Sequence, residues 1–112
     1  MIDSRGIGEI IATYHKYGWI LRRVLLSAAL DKKLGKDKDS LFNDVAITDS
    51  VIDAAWFSRP PQEGGVAWEI RYLGGIPYAL LENADENDPQ FENILQGVEE
   101  RLCESIALKE AA

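Results

Sequence analysis

Nucleophilic or metal chemistry has few residues to draw on in this chain. There is one cysteine, Cys103, and one histidine, His15. A disulfide within the chain, a zinc site built on cysteines and a two-histidine metal motif are therefore excluded. His15 precedes Lys16 near the end of the first predicted helix, where positive charge suits the helix dipole. Cys103 lies beside the apolar position Leu102 and has no basic neighbour in sequence to activate it. A dyad of Cys103 and His15 requires the two terminal helices to pack side by side. No Gly-x-Ser-x-Gly elbow offers a serine nucleophile.

Carboxylates are the other candidates, since two that converge can hold a divalent cation for hydrolysis. Asp53 followed by Glu69-Ile70-Arg71 resembles the Asp…Glu-x-Lys signature of the restriction-endonuclease-like nucleases. That resemblance implies a magnesium ion held by Asp53 and Glu69. It spans about twenty residues and departs from the pattern. Arg71 stands where the family has a lysine, and a guanidinium cannot give up its proton. The expected hairpin puts Asp53 and Glu69 on opposite faces, and Gly74-Gly75 leads into a strand where the family has a helix. Asp37, Asp39 and Asp44 lack the glycine and the closing glutamate of a calcium loop, because Phe42 and Thr48 occupy those places. Arg5-Gly6-Ile7-Gly8 has no preceding strand and no third glycine, so it is not a dinucleotide loop. No catalytic residue, metal or cofactor is assigned.

The elements that carry these residues belong to one domain. The chain has 112 residues, of which 46% are hydrophobic and 28% charged, an ordinary globular balance. The net charge of −7 argues against general nucleic-acid binding. It is unevenly spread. Residues 1–40 carry eight basic and five acidic side chains, a balance of +3, and the rest carry four basic and fourteen acidic, a balance of −10. Such asymmetry fits two binding faces, head-to-tail association or simple solvation. No signal peptide is expected, no apolar stretch reaches bilayer length, and the cytoplasm is the default location.

Asp3 or Ser4 caps a first helix to about Tyr17, with Ile7, Ile10, Ile11, Tyr14 and Tyr17 on one face and Gly18 as its stop. Trp19–Leu26 reads as a strand in which Arg22 and Arg23 mark different sides. Ser27–Leu34 reads as a short helix ended by Gly35, Gly35–Ser40 as a charged loop, and Leu41–Ile47 as ambiguous. Val51–Ser58 is strand-like, Arg59–Gly65 a turn, and Val66–Leu73 the clearest strand. Gly74-Gly75 fits a two-residue hairpin into Ile76–Glu82. Asp88 and Pro89 start a last helix to about Leu108, with Phe91, Ile94, Leu95, Val98, Leu102 and Ile106 as its apolar stripe. The expected fold is α+β in the order α-β-(α)-β-β-β-α. Its sheet is mostly antiparallel, with three or four strands, and both terminal helices lie on one face.

That arrangement leaves an outer sheet face. Pairing Leu73 with Ile76 and Arg59 with Val66 gathers Trp56, Leu73, Ile76, Tyr78 and Leu80 there, around Glu69 and Arg71. A water-facing sheet surface alternates to polar residues, and this one does not. Trp, Tyr and Arg amid apolar groups are what interface centres contain. The candidate interface is therefore Trp56, Arg71, Leu73, Ile76, Tyr78 and Leu80, for a homodimer or another protein. The competing expectation is that the minor helix and the Leu41–Ile47 segment cover the face, and a one-residue slip in register would swap the two faces. The favoured function is a non-enzymatic protein-interaction module that self-associates. The alternative is a small ligand-binding protein or enzyme with a pocket between the sheet and the Lys32–Lys38 region. Contact of Arg22, Arg23 and the lysine loop with nucleic acid is a third, weaker reading. Size, acidity and helix–sheet order loosely resemble small secretion-chaperone or adaptor proteins, although no motif carries the likeness.

Overall fold

The computed structural model describes residues 3–62 and 65–111. The chain is α+β, in the order α1 (Ser4–Lys16), β1 (Ile20–Leu26), α2 (Ala28–Leu34), α3 (Asp37–Phe42), β2 (Ala46–Asp49), β3 (Ala54–Gln62), β4 (Gly65–Tyr72), β5 (Ala79–Asn83) and α4 (Phe91–Ala111). The sheet has five strands in the order β2-β1-β3-β4-β5. It is mixed, because β1 and β2 run parallel and the other pairs antiparallel. The expectation of a mostly antiparallel sheet of three or four strands holds in part: β1–β3, β3–β4 and β4–β5 are antiparallel, but β2 adds a fifth strand that runs parallel. Ala46–Asp49 is too short and too polar to announce a strand, and a parallel partner needs the α2–α3 crossover to reach it.

The terminal helices lie on opposite faces, not on one. α4 packs Phe91, Leu95, Val98, Leu102 and Ile106 on Trp56, Trp68 and Ile70. On the other face Ile7 and Ile11 of α1 meet Leu21, Val24, Ala55 and Phe57, joined by Leu30 and Leu34 of α2 and Phe42 of α3. The central strands β1 and β3 are thus covered on both sides, which explains why their sequences are apolar at successive positions.

Local chemistry explains the element boundaries. The Asp3 carboxylate accepts the Gly6 N–H at 2.9 Å and caps α1. Gly18 ends that helix region at φ 88°, a conformation that glycine adopts without a Cβ clash. Ser27 caps α2 and Gly35 closes it, as expected. The segment 35–40 is not all loop, since α3 starts at Asp37. Leu41 and the buried Phe42 anchor this turn of helix, and the Lys38 ammonium pairs with Asp31 of α2. α4 begins at Phe91, two residues beyond Pro89. Asp88 instead organises the preceding turn, its carboxylate accepting the Gln90 N–H and its carbonyl the Phe91 N–H.

Three register details depart from the sequence reading. β3 continues through Pro60 and Pro61 to Gln62, past the last residue paired with β1, so the prolines interrupt no central ladder. The turn expected at Arg59–Gly65 is therefore mostly strand, and residues 63 and 64 lie outside the described residues. The β4–β5 connection is not a two-residue Gly74-Gly75 turn. Pro77 has no N–H to donate, and pairing resumes where the Tyr72 N–H reaches the Tyr78 carbonyl. Finally, β1 has a bulge between Leu21 and Arg23. The extra residue lets Arg22 and Arg23 point to the same side, toward α4, where alternation would have split them.

Candidate functional site

Each register slip is one residue, and that is enough to dissolve the expected outer face. Trp56 pairs with Ile70, not Glu69, and so faces α4 with 0% exposure. Its indole N–H donates to Glu99 at 2.8 Å. Ile70 pairs with Leu80, so Leu80 also turns toward α4, and Tyr78 packs on the same core. Leu73 is buried on the α1 side. Arg71 is half-buried on the α1 side of β4, and Ile76 is half-buried in the connection between β4 and β5. The structure therefore does not gather the six expected residues on one surface.

A different strip is open. On the α1 side the rows run from β3 across β4 to β5: Phe57–Glu69–Leu81 and Ala55–Arg71–Ala79. α1 covers only their inner ends. Exposure along the first row climbs from 0% at Phe57 to 62% at Leu81. Between them, the Tyr14 hydroxyl of α1 donates to the Glu69 carboxylate, and the Tyr14 ring stacks on Phe57 at 4.0 Å. Burial and the Glu69 carboxylate push the Tyr14 phenol well above its ordinary value. The Arg71 guanidinium donates to the adjacent Tyr72 carbonyl and lines a shallow hollow of about 300 Å³ with Glu9 and Thr13. β5 borders this strip as an edge strand.

The candidates for chemistry are dispersed. The Asp53 carboxylate accepts the Ser27 N–H at 2.6 Å and the Ser27 hydroxyl at 3.1 Å, which ties the end of β1 to the start of β3. Asp53 also bonds Leu73 through its carbonyl, so Glu69 lies four residues further along β4, about 13 Å of strand away. The two do not converge: Asp53 also lines a cavity with Cys103 and Ile106 of α4, whereas Glu69 meets Tyr14 of α1. His15 is exposed at the end of α1, and Cys103 lies on α4 across the sheet, so the dyad is absent. Burial raises the Cys103 thiol, and nearby Glu99 adds to the effect. Among the described residues no cluster of three His, Cys, Asp or Glu side chains is arranged to hold a metal.

The two arginines of β1 are engaged inside the molecule. Arg22 lies over the Trp68 ring at 4.8 Å and bonds Ser58 and Glu86. Arg23 lies over Phe91 at 5.4 Å and grips Glu92 with two nitrogens. They clamp the acidic connection before α4 onto the sheet. The sequence signal was the adjacent Arg22-Arg23 pair, but no local pattern announces a bulge.

The lysine region does border a cleft. Asp31, Lys32, Lys38 and Asp49 line an open cavity of about 530 Å³ between α2 and the end of β2. Among the described residues no helix is long and apolar enough to cross a membrane. The fold is α+β, with a five-stranded mixed sheet between helical layers. Comparisons with protein-family models, with curated proteins and with solved structures find no match.

Proposed function

We propose that this chain is a non-enzymatic protein-interaction module that forms a homodimer through β5 and the open strip beside it. The observation that carries this reading is the state of β5. It is an edge strand, Ala79-Leu80-Leu81-Glu82-Asn83, with neither proline nor lysine, and it exposes Leu81. Edge strands present unpaired backbone groups, and a protein that stays monomeric blocks them with charge, proline or a covering element. A two-fold axis beside Leu81 pairs β5 with its copy and extends the sheet across both molecules. The dispersed carboxylates and the separation of His15 from Cys103 across the sheet support a binding role over a catalytic one.

Sedimentation at micromolar concentration tests the proposal. Wild-type protein is expected to be a dimer. Leu81→Lys places a charge at the centre of the contact and is expected to give a folded monomer. A monomeric wild type, or a dimer unchanged by Leu81→Lys, overturns the reading. One observation favours a ligand-binding protein instead, namely the cleft lined by Lys32 and Lys38. Its Asp31 carboxylate is already paired with Lys38, which leaves the site less prepared to bind than the strip.

A further inference from the structure

The face of the molecule opposite the open strip carries a second feature. Two cavities meet along α4, of about 250 Å³ and about 400 Å³, and both are lined by Ile52 and Cys103. Together they form one groove between α4 and the segment that leads into β3. Its apolar part comprises Val51, Ile52, Ile106 and Ala107, and Val51 is 93% exposed. Its charged part comprises Glu99, Glu100 and Glu104 at one end and Asp53 and Glu110 at the other. The described residues lining it include no lysine or arginine.

α4 sorts its charges to produce this. Glu99, Cys103 and Glu110 repeat at spacings of four and seven, which places them along one flank of the helix. The basic residues of α4 are drawn to the other flank, where Arg101 bonds Glu82 and Lys109 lies over Tyr78. The same carboxylates bear on the thiol within the groove. Glu99, Glu100 and Glu104 each add to the effect of burial in raising Cys103. Two of the acids have structural duties as well, Glu99 toward Trp56 and Glu110 toward the Tyr72 hydroxyl.

We propose that this groove docks a basic segment of a partner protein, with small apolar side chains on the Ile52–Ile106 floor and lysine or arginine beside Glu100 and Glu104. Complementary charge selects the partner and speeds encounter, while the apolar floor supplies contact that charge alone lacks. The site is independent of the β5 strip, because α4 and α1 lie on opposite faces of the sheet.

The probe is a short peptide of alternating lysine and valine, with an alternating glutamate–valine peptide as its counterpart. Fluorescence anisotropy should show saturable binding of the lysine peptide, weakened by salt, and none of the glutamate peptide. Glu100→Lys and Glu104→Lys should each weaken binding about tenfold. Asp44→Lys changes net charge equally but lies outside the groove, and it should leave binding near wild type. The bound peptide should also slow alkylation of Cys103 by iodoacetamide, a direct report on occupancy. Leu81→Lys should bind the peptide as wild type does, whatever its oligomeric state. Equal losses from Asp44→Lys and Glu100→Lys, or alkylation indifferent to the peptide, overturn the proposal. So does self-association abolished by Glu100→Lys without peptide binding, because the occupant is then a second copy.

Discussion

Asp53 and Tyr14 show how a side chain suited to chemistry can be committed to structure. The Asp53 carboxylate takes both polar groups of Ser27, the residue that also caps α2. Asp53→Ala leaves the Ser27 N–H without that acceptor and should cost about 1–3 kcal/mol, read from urea denaturation. Asp53→Asn keeps one oxygen acceptor and should cost less. Tyr14 makes a pH prediction. Its phenol is raised in the folded state, so its contribution is fully present below the ordinary phenol value and fades as pH rises through it. Wild type should lose stability into the alkaline range more steeply than Tyr14→Phe, which has no proton there to lose. Parallel denaturation curves of the two proteins across that range would count against the Tyr14–Glu69 bond. Neither role was legible in the sequence, where Asp53 and Glu69 stood out only as a pair of carboxylates. Their partners are 26 and 55 residues away, beyond the reach of any local pattern.

At the scale of elements, the clamp formed by β1 on the start of α4 carries its own pH sign. A hydrogen bond and an ion-pair contact from Arg23 lower Glu92 below the usual carboxylate range. The pair therefore contributes above the ordinary glutamate value, and the contribution is lost as pH falls through the lowered one. Arg23→Met keeps an apolar stem over Phe91 and removes the ions. Because the pair is largely exposed, it should cost at most about 1 kcal/mol at neutral pH, with the deficit closing in acid. The helices α1, α2 and α4 were legible because caps and a 3-and-4 apolar spacing are local signals. Their faces were not. Sheet register was inferred from two turns, and Pro77 together with the extended Pro60-Pro61 segment moved each by one residue. One residue is a full inversion in a strand, so Trp56 and Leu80 exchanged the expected surface for the core under α4. Strand β2 carried no signal, since its four residues are all exposed.

For the whole molecule, charge sets the conditions under which copies meet. Each carries −7, so two copies repel at long range while the contact at Leu81 is apolar. Self-association should strengthen as salt rises toward physiological strength, the reverse of peptide docking in the acidic groove. Sedimentation across a salt series checks this, and a dimer that dissociates on adding salt would contradict an apolar contact. The two cores also divide the chain by position. Among the described buried residues, the one under α4 draws on those from Ile52 onward and only Leu25 from earlier, while most of the other comes from before Asn43. Contacts close in sequence cost less loop entropy to form. The hairpins β3–β4–β5 and α4 can therefore consolidate as one cooperative unit, onto which β1 and the remaining helices close later. Native-state hydrogen exchange should record two tiers of protection, with amides of α1 and α2 opening before those of β3 and β4.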